Sequence, residues 1–555
     1  MAQTPESPDA NRRSVLIAGA ALAATAAVAS RAAAQSPTPP AAAPSGLAAG
    51  GGSSKIFQIT ETATGKVQGI ANGPVWEFRG IPYGAPTGGK NRFMPPQKPA
   101  PWKGVRECFA YTSICPQTQA DIRGEYGQLI MWDRQVGGMG EDCLSLNVWT
   151  TNVDRAAKKA VMVSFHGGGF ATGSGNAPGF DGKNLAYYGD VVVVCVNHRL
   201  ASFGYTNLVG AGAPEAFKYA GVAGVMDLAA SLQWVRDNIE NFGGDPNRVM
   251  IFGQSGGGAK TSTVLAMPPA KGLFHRAAVQ SGSALRLVTP EAGAETAEKF
   301  VKQLGLTKSN IADIQKLSWQ QILEAQTAAG GNFSPVIGTD ALPNHPFDPA
   351  APASSAAVPI IVSTCLEDAA LALTNFNLTE DGLTALFNQR WPGKGRELVS
   401  LYRRYDPIAT PFLIQAQAFT DSGVRRAAYT QAARKAAQGA APAYLYQWNW
   451  RTPAYDGQFG AVHGIDVSAS FHSYRDGFLA GSTAGKKMAD RLASTFATFA
   501  KTGDPNNSHI PPWKPYSDAQ RAVMLFDNDT RQEINPRAEI RAWWDANPPA
   551  PGPRG

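Results

Sequence analysis

Apolar residues in this chain fall in short unbroken runs between turn formers, the pattern of strands covered on both faces rather than of strands with one wet side. Three such runs stand out, at 160–165, 190–196 and 248–252. Between the last two the spacing changes to three and four residues at Val225, Leu228, Leu232, Val235 and Ile239. That spacing predicts a helix over 222–242, stopped by Gly243-Gly244-Asp245-Pro246. Strand, helix and strand in series predict a parallel sheet with crossover helices. Further strands are expected at 276–280, 358–364 and 444–450. The stretches 290–349 and 371–440 read as mainly helical and are expected above the carboxyl edge of the sheet, where ligands bind in open α/β sheets. No internal repeat points to a solenoid or propeller.

Composition sets the scale. With 555 residues, 44% hydrophobic, the chain can bury a large core. A formal charge of +7 without a long Lys/Arg run gives nucleic-acid binding little support. The amino terminus stands apart from the fold. Asn11-Arg12-Arg13-Ser14-Val15-Leu16 leads into an Ala/Val-rich stretch ending in Ala32-Ala33-Ala34, which reads as a twin-arginine signal peptide over 1–34, cleaved before Gln35. Export to the periplasm or medium is expected. Residues 35–54, rich in Ala, Pro, Gly and Ser, read as a flexible linker, and 55–548 as the catalytic domain. No later segment is apolar for long enough to cross a bilayer, so no stable membrane insertion is expected after signal removal. The five cysteines are too few for a disulfide scaffold and show no metal-type spacing.

Candidate chemistry sits at the ends of the predicted strands. Gly253-Gln254-Ser255-Gly256-Gly257 matches the G-x-S-x-G nucleophile elbow, directly after one strand and before a helical stretch over 259–267. In so glycine-rich a chain the pattern alone is weak, and its context gives it value. His166-Gly167-Gly168-Gly169-Phe170 follows another strand, where side-chain-free residues let backbone N–H groups approach an oxyanion. Gly168, Gly169 and Gly256 are the expected donors. The loop lacks the lysine and spacing of a phosphate cradle. In α/β-hydrolases the triad runs serine, acid, histidine, which sets aside His166 and His198, upstream of the elbow, and His275, which follows it closely. His463, in the glycine-flanked segment Gly460-Ala461-Val462-His463-Gly464, is favoured over its neighbour His472. The acid is expected just after the 358–364 strand, at Glu367 or Asp368, and spacing does not choose between them.

With these residues in view the chain resembles the type B carboxylesterase family, which includes the cholinesterases. Phe78-Arg-Gly-Ile-Pro-Tyr83, Gly140-Glu-Asp-Cys-Leu-Ser-Leu-Asn147, the glycine loop, Asn238-Ile-Glu-Asn-Phe-Gly-Gly-Asp-Pro246 and the segment from Phe499 to Pro505 carry the resemblance. It implies an α/β-hydrolase fold with a mostly parallel central sheet, helices on both faces and helical insertions over the active site. It also implies Ser255 as nucleophile, His463 as base and an acid near 368, and an ungapped match favours Asp368. Two departures follow: in the elbow, Gln254 stands where the family commonly has glutamate and Gly256 where it has alanine; in the acid region, Asp368 falls on the family's glutamate, so Glu367 stays an alternative. The resemblance further implies a Cys115–Cys143 disulfide. The activity implied is serine-dependent hydrolysis of small carboxylic esters with no metal or organic cofactor. A non-catalytic binding protein and a peptidase or acyltransferase on the same triad are the alternatives.

Overall fold

The computed structural model describes residues 56–118, 136–475 and 477–548. The signal peptide and linker expected over 1–54 lie outside the described residues. Thirteen strands form one sheet: β1 (Phe57–Thr62), β2 (Gly65–Asn72), β3 (Val75–Pro82), β4 (Val105–Glu107), β5 (Ser145–Thr150), β6 (Lys159–Phe165), β7 (Val192–Val196), β8 (Gly244–Gln254), β9 (Arg276–Gln280), β10 (Ile360–Cys365), β11 (Ala443–Trp448), β12 (Ala522–Phe526) and β13 (Arg531–Ile534). Their order is β1-β2-β3-β5-β7-β6-β8-β9-β10-β11-β12-β13, with β4 beside β2. From β7 to β12 every neighbouring pair is parallel; β1, β2, β3 and β5 at one end and β13 at the other join antiparallel, while β4 lies parallel to β2.

Both faces of the parallel centre are covered, and this accounts for the unbroken apolar runs. Because side chains alternate along a strand, Val161, Val163, Phe165, Val249 and Ile251 enter one core. Met162, Val193, Met250 and Phe252 enter the other. The helix Ala223–Asn238 buries Val225, Leu228, Leu232 and Val235 in the first core. The helix Thr483–Thr502 buries Met488, Leu492, Phe496 and Phe499 in the second.

Expected and observed elements differ in three instructive places. The helix predicted over 222–242 ends its α-geometry at Asn238 and finishes as a 3-10 turn, Ile239–Phe242, before Gly243 at φ 77°. The region 371–440 is helical, as expected, but not all of it is an insertion. Its last helix, Val424–Ala437, buries the small side chains of Ala428 and Ala432 in the core shared with β10 and β11. Helices Glu380–Arg390, Gly395–Tyr405 and Pro411–Ser422 pack instead in the other core. Finally, Cys115 and Cys143 are not bridged: all five cysteines are free, buried thiols. Cys115 Sγ accepts from Leu200 N at 3.2 Å. A hydrogen bond to Cys115, with burial, holds the Cys143 thiol well above its ordinary pKa. The two sulfurs are neighbours as free cysteines rather than as a covalent pair.

Candidate active site

Five parallel strands deliver residues to one place at their carboxyl ends. The glycine loop leaves β6, Ser255 leaves β8, Ser281 leaves β9, Asp368 leaves β10 and His463 lies in the loop after β11.

The elbow is tight for a steric reason. A Cβ on Gly253 would stand 2.4 Å from Phe165 O, and one on Gly257 would stand 2.0 Å from the same atom. The strand end and the helix start therefore both press on β6, and the residue between them turns sharply. Ser255 takes up that turn at φ 59°, ψ −122°, a strained conformation for a residue with a side chain, stored where the surrounding packing leaves no alternative. The helix Gly256–Leu265 begins at the next residue, so its free N–H groups face the Ser255 side.

The glycine loop lies against this helix. A Cβ on Gly256 would sit 2.2 Å from Gly169 N and 2.3 Å from Gly169 O, so the alanine common here in the resembled family has no room beside this loop. Gly168 and Gly169 hold φ of 87° and 62°. Their N–H groups donate to nothing among the described residues, and Gly169 is exposed. Three backbone donors, those of Gly168, Gly169 and Gly256, are thus unspent beside Ser255.

His463 Nδ1 and Asp368 Oδ1 lie 2.7 Å apart, both groups buried. The other Asp368 oxygen accepts from Ser281 Oγ at 3.0 Å and from Cys365 N at 2.8 Å, which fixes the carboxylate plane. Ser281 is a partner that sequence reasoning did not find. Among the described residues Ser255 Oγ and His463 form no hydrogen bond with each other.

Glu367 is turned elsewhere. Wholly buried, it receives Ala461 N on Oε2 at 2.8 Å, and Arg451 Nη2 at 2.6 Å and Gln417 Nε2 at 2.9 Å on Oε1. Backbone pairing of Glu367 with Val462 adds to this. The two adjacent carboxylates divide the labour: one touches the imidazole, and the other ties the strand carrying Asp368 to the loop carrying His463.

The competing histidines have structural partners. His472 Nε2 pairs with Asp490 Oδ1 at 2.8 Å while its ring stacks on Tyr188 at 3.7 Å. His345 Nδ1 accepts from Leu287 N at 3.1 Å. His166 and His198 are buried and stacked on each other, with ring centroids 5.0 Å apart. Burial, with the Lys260 charge adding to it, holds the His198 imidazole well below its ordinary pKa, and hence neutral.

Below His463 lies a buried polar cluster that the sequence did not reveal. Asp466 Oδ2 accepts from Tyr446 Oη at 2.8 Å and from Gln280 Nε2 at 3.0 Å, while Oδ1 has no partner among the described residues. Burial pushes the Asp466 carboxyl up to about 6, and the neighbouring Asp368 adds to the effect. Gln254 is buried with both amide atoms unpartnered among the described residues, a position where a neutral amide costs less than the family's carboxylate would. Since Asp466 binds its proton more tightly folded than unfolded, the stability it lends is whole below pH about 4. It is lost as pH rises through about 6. Asp466→Asn, which mimics the protonated acid, should therefore stabilise the protein by about 3 kcal/mol at pH 8 and by well under about 1 kcal/mol at pH 4. Urea denaturation of the two proteins at both pH values measures the difference; an equal effect at both would refute it.

Comparisons with known proteins identify the family. The carboxylesterase family model matches residues 57–544. Para-nitrobenzyl esterase of Bacillus subtilis (strain 168) is 32% identical over 503 residues, covering 87% of this chain and 98% of that protein. Phenmedipham hydrolase of Pseudarthrobacter oxydans is 28% identical, with 85% and 95% covered. Among solved structures, an esterase from Clostridium hathewayi that can hydrolyze aliphatic aromatic polyesters superposes with a TM-score of 0.76 at 30% identity, covering 88% of this chain and 98% of that one. A Geobacillus stearothermophilus carboxylesterase follows at a TM-score of 0.75 and 29% identity, with 88% and 99% covered. The sheet is that of an α/β-hydrolase, and the chain belongs to the carboxylesterase family, as a carboxylic ester hydrolase.

Proposed function

We propose that this carboxylesterase works through an acyl-enzyme on Ser255, with His463 as general base, Asp368 as the acid that orients it, and an oxyanion hole of Gly168, Gly169 and Gly256. The observation that carries the reading is the 2.7 Å His463–Asp368 hydrogen bond, set at the same sheet edge as the strained Ser255 elbow. Asp368 selects the imidazole tautomer with the proton on Nδ1, leaving Nε2 as acceptor. His463 takes the Ser255 proton as Oγ attacks the ester carbonyl, and the carbonyl oxygen becomes an oxyanion between the free N–H groups. The alcohol departs with the proton. Water, activated by His463, then releases the acid. Catalytic hydrogen bonds often close only in the Michaelis complex, so the nucleophile–base contact is assigned to the substrate-bound state.

Two relatives act on aromatic esters by name or description: one is a para-nitrobenzyl esterase, the other hydrolyses aliphatic aromatic polyesters. By likeness we take small esters with an aromatic alcohol or acid as the substrate class. The Arg12-Arg13 leader supports action outside the cytoplasm. A panel of p-nitrophenyl and p-nitrobenzyl esters of increasing acyl length, run with a fluorophosphonate probe, tests the reading. One probe per chain and parallel loss of esterase activity are expected; ester hydrolysis that persists in fully labelled protein would exclude the acyl-enzyme.

A further inference from the structure

The run from Gly253 to Pro268 holds a single charged residue, Lys260, and the fold buries it completely. An ammonium in that position is costly, since desolvation removes several kcal/mol of hydration unless the charge is held by well-placed partners. Its Nζ donates to the backbone carbonyl of His166 at 2.8 Å, the residue that opens the glycine loop.

Helix geometry makes this contact part of a larger one. Gly256 and Lys260 are four residues apart and share a face of the helix Gly256–Leu265. Gly256 meets Gly169, Gly257 meets Phe165 O, and Lys260 meets His166 O, so the loop is laid along that face from end to end. Three successive peptide planes are pinned in the process. Lys260 holds the carbonyl of the 166–167 peptide. The His166 ring, through Nδ1, holds the carbonyl of Gly167 at 2.9 Å. Thr172 holds the carbonyl of Gly168, from N at 3.0 Å and from Oγ1 at 3.1 Å. A trans peptide is planar with its N–H opposed to its C=O, so fixing carbonyls on one side aims the following N–H groups to the other.

We propose that Lys260 is a positioning residue of the oxyanion hole, gripping the His166 carbonyl from the helix that starts at the nucleophile and so setting the glycine-loop donors in register with Gly256. This rests on the reading of Gly168, Gly169 and Gly256 as oxyanion donors. The lysine touches no reacting atom; it removes the freedom of the first peptide of the loop, so that the donors need not reorganise when negative charge develops on the substrate oxygen.

The test compares wild-type protein with Lys260→Met and with Lys260→Gln, which keeps a neutral donor. For each protein three quantities are measured: kcat and KM on a p-nitrophenyl ester, stoichiometry of fluorophosphonate labelling, and inhibition by an aryl trifluoromethyl ketone, which forms a tetrahedral oxyanion on a nucleophilic serine. The expected result for Lys260→Met is a kcat about 30-fold lower, KM changed by less than about threefold, and ketone affinity reduced by the same factor as kcat. Lys260→Gln should recover part of both losses. Labelling should still reach one per chain, only more slowly. Failure of the wild-type protein to label would instead strike the acyl-enzyme reading itself, so the two failures are distinguishable. Wild-type kcat and ketone affinity in Lys260→Met, or a lowered melting temperature with kcat unaltered below it, would overturn the positioning role. Should Lys260→Met lack a cooperative melting transition, Lys260→Gln is judged on the same criteria.

Discussion

Ser255→Ala should lower kcat on p-nitrophenyl esters by about 10⁵- to 10⁶-fold and abolish fluorophosphonate labelling, with the melting temperature unchanged or raised. On the proposed mechanism the loss is large because the hydroxyl would be the bond-forming group, with base and acid acting only through it. The remaining rate comes from binding and from the free N–H groups of Gly168, Gly169 and Gly256. The sign of the stability effect follows from the backbone. Ser255 holds φ 59°, ψ −122° because Gly253 and Gly257 both crowd Phe165 O, and that strain is unrelated to the hydroxyl. Alanine inherits the strain, but loses only a half-buried hydroxyl. Circular dichroism melts and single-turnover kinetics on one preparation report both. A variant with turnover within a factor of ten of wild type would refute the nucleophile.

How much of this was legible in the sequence depended on whether a residue's role is set locally. The parallel strands β6 to β11 were readable because cover on both faces demands unbroken apolar runs, and the run at Arg276–Gln280 matches strand β9 residue for residue. The antiparallel entry was not picked out. In β1, Phe57–Thr62 alternates exposed and half-buried positions at the edge of the sheet, and β13 is three polar residues followed by an exposed isoleucine, Ile534. Edge strands carry no apolar signature to read. The helix Val424–Ala437 read as an insertion because its buried side mixes Ala428 and Ala432 with Arg425, Gln431 and Lys435, which leaves little periodic apolar contrast. Ser255 and His463 were legible because their surroundings are local: glycines at fixed offsets, a strand before, a helix after. Ser281, Asp466 and Lys260 were not, because each acquires its part only from a strand or loop far away in the chain. Lys260 did leave one trace, as the lone charge in an otherwise uncharged segment from Gly253 to Pro268.

The choice between Asp368 and Glu367 shows the same limit most sharply and gives the second large prediction. Adjacent residues at a strand end project to opposite sides, so which one meets the imidazole depends on how the 449–464 loop returns, and composition does not encode that. In the folded protein Asp368 lies 2.7 Å from His463 Nδ1, while Glu367 binds Ala461 N, Arg451 and Gln417. Asp368→Asn should therefore lower kcat by about 10⁴-fold with little change in KM. The amide presents an N–H toward Nδ1 or loses the charge that favours imidazolium, and either way Nε2 becomes a poor acceptor for the Ser255 proton. Glu367→Gln should act the other way round. Arg451 keeps its contact with Asp406, but loses the buried Glu367 carboxylate, and the tie to Ala461 weakens. The expected cost is about 3 kcal/mol of stability, with kcat within about tenfold of wild type below the melting transition. Urea denaturation and steady-state kinetics on the two variants separate the roles. If Glu367→Gln suffered the 10⁴-fold loss while Asp368→Asn kept most of its turnover, the acid would have to be reassigned to Glu367, and the bond seen between His463 and Asp368 would belong to the resting protein alone.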